Sequence, residues 1–198
     1  MRDEWVGTSE TDPIQVDFLP DDEVRTPGRL GMTFAPGMWA GSVRGRWERD
    51  LATDMRELEE EHEADVLVSL MEDHEYRGYQ ISDLLERDSI GNIEILRFAI
   101  ADMGVPREAQ SEQFEAFVQD VAQRLEQGQN VVVHCRGGLG RTGTLAACVL
   151  IALGRHTSDE AIDAVRTARK GTVQTREQED FVRIFEGTVR TREGDREA

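Results

Sequence analysis

Apolar positions recur along this chain with two alternating periods. Short continuous or every-other-residue apolar runs read as strands, and runs with apolar residues three or four apart read as helices. Residues 14–19 alternate in places and predict an edge strand. Residues 29–34 predict a second strand, stopped by Pro36-Gly37. Trp47, Leu51, Met55 and Leu58 follow at helical spacing. Residues 66–70 form a short apolar run of the buried-strand type. Residues 78–86 predict a short helix carrying Ile81, Leu84 and Leu85, and residues 93–100 a strand. From Ser111 a helix places Phe114, Phe117, Val118, Val121 and Leu125 on one face and closes at Gly128. Residues 131–133 predict another buried strand, and 141–153 a helix ending at Gly154. Ser158 is expected to cap the next helix, with acidic residues in its opening turns and Lys170-Gly171 at its end. A last helix starts near Thr175.

Strands alternating with helices predict an α/β fold: a central, mostly parallel sheet flanked by helices. A single domain is expected over residues 13–190, between an acidic tail (1–12) and a polar tail (191–198). Open sheets of this kind bind ligands beyond the carboxyl ends of their strands.

One such end carries the chemistry. Residues 131–143 read VVVHCRGGLGRTG. A strand ends, a loop rich in glycine turns, and a helix begins. The helix N-terminus offers unsatisfied N–H groups and partial positive charge, a site for a phosphate-like anion. Gly137, Gly138 and Gly140 allow the loop to curl with its N–H groups inward, so that residues Arg136 to Arg141 form an anion cradle. Arg141 can offer paired donors to two phosphate oxygens. Cys135 is expected at the cradle's floor, where the helix terminus and a cation favour its thiolate and make it a nucleophile toward phosphorus. Thr142 is expected to donate its hydroxyl to the Cys135 sulfur, and His134 to buttress the loop by hydrogen bonds to backbone. Each residue alone fits inert packing or a solvated charge; the combination at this spacing points to catalysis.

Composition narrows the partners. The net charge of −17 disfavours nonspecific binding to nucleic acid or anionic membranes. Cys135 and Cys148 make no disulfide framework. A helix starting near Arg141 would carry Cys148 about 10 Å along its axis, beyond a bridge to Cys135. The N-terminal MRDEWVGTSE lacks the apolar core of a signal peptide, and residues 146–153 are too short to span a bilayer. A cytoplasmic monomer is expected, and the scattered histidines show no metal-ligand spacing.

Residues 134–143 resemble the signature of cysteine-dependent protein tyrosine and dual-specificity phosphatases: His-Cys, five residues, Arg, then Ser or Thr. Outside the loop, residues 98–106 (FAIADMGVP) are similar to the acid loop of the kinase-associated phosphatases, the cyclin-dependent kinase inhibitor 3 family. Residues 173–178 (VQTREQ) resemble that family's water-positioning glutamine segment, and residues 30–37 its first strand and turn. The resemblance spans roughly residues 28–187. It implies a cysteine-phosphatase fold and hydrolysis of phosphoprotein monoesters through a phosphocysteine. Asp102 is then the acid and later the base, and Gln174 orients water, with Gln178 assisting. No metal or cofactor is needed, because Arg141 and the loop N–H groups carry the developing charge.

Two departures bear on substrate. Ala35 and Met38 flank a turn that often carries cysteine in that family. No counterpart of the long phosphotyrosine-recognition loop of tyrosine phosphatases is visible, which implies a shallower pocket. Arg136 either faces solvent or favours multiply phosphorylated ligands. A phosphatase of phosphoinositides or small molecules, a sulfurtransferase and a non-catalytic phosphate-binding module remain as alternatives.

Overall fold

The computed structural model of the chain describes residues 5–42 and 45–197. Its main sheet has six strands in the order β2-β3-β9-β6-β8-β7. These are β2 (Asp17–Phe18), β3 (Leu30–Thr33), β6 (Val66–Ser69), β7 (Ser89–Ile90), β8 (Ile93–Arg97) and β9 (Val131–His134). The four inner strands run parallel and the two edge strands antiparallel. The expected α/β architecture is therefore present, with β9 flanked by β3 and β6.

Alternation along the strands builds two cores. Val131 and Val133 of β9, with Val66 and Val68 of β6, face one cluster. It is packed by α5 (Ser111–Glu126), α6 (Gly140–Ala152), α7 (Ser158–Ala168) and α8 (Arg176–Glu197). Val132 and Leu67 face the other, packed by α2 (Leu51–Glu60), α3 (Asp73–Gly78) and α4 (Asp83–Glu86). The short α1 (Asp21–Val24) adds Val24 to the first. His134 pairs in register with Thr33 on one side and Ser69 on the other. The three strand ends thus form one ledge, and the Cys135 loop leaves from its centre.

A second sheet was not legible in the sequence. Strands β1 (Trp5–Gly7), β4 (Trp39–Ser42) and β5 (Gly45–Glu48) pair in the order β1-β5-β4. The expected loose tail over 1–12 is corrected accordingly: residues 1–4 lie outside the described residues, but the rest is anchored. Ser9 Oγ donates to Asp50 O and accepts from Asp50 N, and the Asp12 carbonyl accepts from Arg49 Nη1 at 2.7 Å. The tail expected over 191–198 continues α8 as far as Glu197, with residue 198 outside the described residues.

Other boundaries shift for local reasons. Trp47 lies on β5 rather than on α2, because Asp50 caps α2 by accepting from Thr53 N at 2.7 Å. The helix expected over 78–86 is broken by Gln80, whose φ of 62° is left-handed. Thr157, not Ser158, caps α7. It forms a reciprocal box with Glu160, the residue three positions on that the motif requires.

Candidate active site

The Cys135 loop is shaped by what holds its carbonyls. Ala35 N donates to Arg136 O, and Arg169 donates to Gly137 O from Nη2 and to Gly138 O from Nε. Gly143 N and Val173 N both donate to Leu139 O. No peptide bond here is cis. A planar trans peptide points its N–H opposite its C=O. Tying the carbonyls of residues 136–139 outward therefore turns the N–H groups of residues 137–140 inward, toward the start of α6. Gly138 is required twice over: its φ is 67°, and a Cβ there would collide with the Thr33 carbonyl. Gly140 is required by space alone, since a Cβ would lie 2.9 Å from the side-chain amides of both Gln174 and Gln178.

Arg141 crosses beneath the loop, 1% exposed. Its Nη1 and Nη2 pair with the two carboxylate oxygens of Glu75 at 2.6 and 2.9 Å. Nη1 also donates to Ile100 O at 3.0 Å, and Nη2 to Asp102 Oδ1 at 2.9 Å. Burial works against the charged guanidinium, but its hydrogen bonds to Glu75 and the charges of Cys135, Glu75 and Asp102 outweigh it and hold Arg141 protonated. Its Nε is buried without a partner. Among the described residues four buried side-chain atoms lack a partner, and three belong to this loop and the turn after it: His134 Nε2, Arg141 Nε and Thr142 Oγ1.

One cleft of about 350 Å³ is lined by Cys135, Arg136, Gly137, Leu139, Gly140, Arg141, Asp102 and Gln174, with apolar side chains opposite. The structure therefore brings together the nucleophile, cradle, acid and glutamine expected from sequence. Asp102 is half exposed, and its Oδ1 also accepts from Met103 N at 3.1 Å. Arg136 is exposed, its guanidinium 5.3 Å from the Tyr79 ring centre. Gln178 joins two segments of the site. Its buried amide donates to Gly104 O at 3.1 Å and accepts from the N–H groups of Gln174 and Thr175. It thereby clips the acid loop to the segment bearing Gln174.

One expected contact is not made in this structure. Thr142 Oγ1 makes no hydrogen bond to Cys135. Thr142 is the third residue of α6, fully buried, and the turn leaves its hydroxyl unpaired. The support expected from His134 takes the form of one contact, Nδ1 to Cys135 O at 3.2 Å.

Sequence reasoning missed Glu75 and Arg169. Glu75 is buried, with its carboxyl held below the usual carboxylate range. Burial opposes that shift, and hydrogen bonds from Arg141 and the Glu72 N–H overcome it. The signal available was weak: a capping-box pair, Glu72 with Glu75, at the start of α3. Arg169 is fixed by Asp17 at 2.5 Å and gave no signal in sequence.

His134 gives the first measurable consequence. Burial pushes its pKa down to about 4. An unfolded histidine takes up its proton near 6.5, so the neutral buried ring stabilises the fold fully above pH 6.5. That contribution is lost progressively as pH falls from about 6.5 to about 4. Between pH 7 and pH 5 the protein is expected to lose about 2 kcal/mol of unfolding free energy through this group. Urea unfolding of wild type and His134→Asn at both pH values checks it; equal losses would remove His134 as the cause.

With this geometry established, likeness to known proteins becomes decisive. A family model described as Swiss Army Knife protein, DSP-PTPase phosphatase domain, matches residues 36–182. The chain belongs to the DSP-PTPase family. Rat cyclin-dependent kinase inhibitor 3 is 30% identical over 185 residues, which is 92% of this chain and 84% of that protein. The crystal structure of a kinase associated phosphatase, its catalytic-site cysteine replaced by serine, superposes with a TM-score of 0.78. It is 26% identical, covering 90% of this chain and 97% of that one. Tk-PTP in its active form gives a TM-score of 0.60 at 28% identity, over 81% and 92% of the two chains. This DSP-PTPase is a cysteine-dependent protein phosphatase, as the resemblance of residues 134–143 implied.

Proposed function

We propose that this chain hydrolyses phosphotyrosine, and phosphoserine or phosphothreonine where they reach, with Cys135, Arg141 and Asp102 as the reacting and charge-bearing groups. The observation that carries the reading is the juxtaposition of Cys135, an inward-turned N–H cradle and an Arg141 with an unspent Nε, with Asp102 at the same cleft.

The steps follow from that arrangement. A bound phosphomonoester takes Arg141 Nε and competes with Asp102 for Nη2, releasing the carboxyl toward the leaving oxygen. Asp102, protonated from solvent once it leaves Arg141, is then the acid: the Cys135 thiolate attacks phosphorus, the bond to the leaving oxygen breaks, and Asp102 delivers that proton to the leaving oxygen. Water held by Gln174 then attacks phosphorus. The sulfur–phosphorus bond breaks, the thiolate departs, and Asp102 takes the water's proton. Inorganic phosphate leaves. Residues 136–141 hold the oxygens throughout. His134 supports the loop, and Thr142, with its hydroxyl unbound, is available to the departing thiolate.

The reading includes a cytoplasmic monomer acting on phosphoproteins without metal, cofactor, nucleic acid or membrane. The net charge of −17 and the two unbonded cysteines support it. Among the described residues no helix is long and apolar enough to cross a membrane.

The test is turnover of phosphopeptides and aryl phosphates in EDTA by wild type and Asp102→Asn. Loss of the proton donor is expected to slow poor leaving groups about 10²-fold or more, and p-nitrophenol, which needs no proton, far less. Equal losses on both would remove Asp102 from the acid role. No turnover by wild type on any of these substrates would remove the function.

A further inference from the structure

The cleft has a second wall, and it is aromatic and apolar. Facing the Cys135 loop are Met38, Ala40, Trp47 and Met103. Among the described lining residues the only cations are Arg136 and Arg141, and Arg141 is committed to the phosphate. The wall is supplied largely by the small β1-β5-β4 sheet. Trp47, half-buried on β5, stacks on Phe34 with ring centres 5.9 Å apart and planes 29° apart. The Trp5 ring of β1 meets it edge to face at 4.8 Å and 89°. The Arg49 guanidinium lies 4.9 Å from the Phe34 ring and 5.4 Å from the Trp47 ring.

That guanidinium is itself fixed. Arg49 and Asp54 form a buried two-point ion pair at 2.7 and 2.8 Å, and Asp54 Oδ2 also accepts from Gly37 N at 2.8 Å. One buried carboxylate thus ties the turn carrying Met38 to the residue bracing Trp47. Gly7 completes the fit: any side chain there would run into the rings of Trp5 and Trp47. An indole held on three sides presents a fixed surface, so a ligand that packs on it pays little ordering cost.

We infer that Trp47, braced by Trp5 and Phe34, is a specificity determinant that receives the aryl ring of phosphotyrosine while the phosphate sits in the Cys135 cradle. This rests on the catalytic reading above and narrows its substrate class. An aryl ring gains from an offset or edge contact with the indole beyond simple burial. A phosphothreonine side chain offers one methyl to the same wall. An inositol ring would set hydroxyls against Met38, Ala40 and Met103 with no hydrogen-bond partner there, a costly arrangement.

The experiment compares kcat/KM on one peptide sequence bearing phosphotyrosine or phosphothreonine, and on a short-chain phosphatidylinositol phosphate. Wild type, Trp47→Ala, Trp47→Phe, Trp5→Ala and Cys135→Ser are assayed, with circular dichroism melts on each. Wild type is expected to favour phosphotyrosine by about tenfold or more. Trp47→Ala lowers that ratio by about 3–10-fold, mainly through KM. Trp47→Phe keeps most of it, and Trp5→Ala falls between. A wild type that prefers phosphothreonine or the inositol lipid overturns the inference, as does a ratio unmoved in both Trp47→Ala and Trp5→Ala. If Trp47→Ala does not fold, an unmoved ratio in Trp5→Ala decides against it. These failures leave Cys135-dependent turnover intact. Absence of Cys135-dependent turnover on all three substrates overturns the catalytic reading, and the role of the wall with it.

Discussion

Replacing Cys135 with serine is expected to lower turnover at least about 10⁴-fold while leaving oxyanion binding intact. The reason lies in how little of the cradle depends on the sulfur. The inward N–H groups of residues 137–140 are fixed by carbonyls tied to Ala35, Arg169, Gly143 and Val173, none of which contacts the thiol through those bonds. Arg141 stays locked on Glu75. Serine supplies a neutral oxygen in place of the nucleophile, so the phosphocysteine cannot form. It also removes a negative charge that opposes a phosphate dianion, so affinity should hold or rise. Steady-state hydrolysis together with calorimetric titration of inorganic phosphate checks both halves. Residual turnover above about a percent would remove Cys135 as nucleophile, and lost phosphate binding would show that the sulfur shapes the cradle.

Glu75→Gln is expected to damage both stability and catalysis. Arg141 and Glu75 side chains are 1% and 6% exposed, and two charged hydrogen bonds join them. Neutralising one member of a buried pair leaves the other charge poorly compensated, at about 3 kcal/mol. Asp102 can offset part of this by staying on Nη2, but that keeps the acid away from the leaving group. The fork would also lose the planar partner that sets its angle, and small misplacements of such a group cost about 10² in kcat/KM. The stability effect carries a pH signature. Glu75 is held below its ordinary range when folded, so its contribution is present above about pH 4.5 and is lost as pH falls through the lowered folded value. The glutamine variant should lack that acid-dependent loss. Denaturant unfolding at pH 7 and pH 4, with kcat/KM on an aryl phosphate, tests it. A variant as stable and as active as wild type would show that Arg141 is held by Leu70 O, Ile100 O and Asp102 without Glu75.

How much of this was legible in sequence depended on how far apart the cooperating residues lie. The parallel strands announced themselves because Val66–Ser69 and Val131–His134 are buried on both faces and each opens with three apolar residues in a row. Helices α5 and α6 were readable from one apolar stripe and one apolar block. The cradle was readable because Cys135 to Gly143 are contiguous, and a strand–loop–helix turn has few ways to fold around an anion. Asp102 and Gln174 came through resemblance of short segments rather than through any local physical signal.

The small sheet left no such trace. Its strands are three or four residues long, interrupted by Gly41 and Gly45 and mixed with charge, so neither period is sustained. Trp47 happened to fall in phase with Leu51, Met55 and Leu58, and only the cap at Asp50 separates it from them. Glu75 reaches Arg141 across 66 residues of chain, and Arg169 reaches Gly138 across 31. The sequence by itself therefore determined the layered α/β fold and the placement of Cys135 at the head of a glycine-rich loop, because those rest on local periodicity and on one unbroken loop. Only the tertiary structure decided which carboxylate pairs with Arg141, which arginine holds the loop carbonyls outward, and which aromatic wall lines the cleft beside Cys135. Those are side-chain meetings between distant segments, and packing rather than spacing determines them.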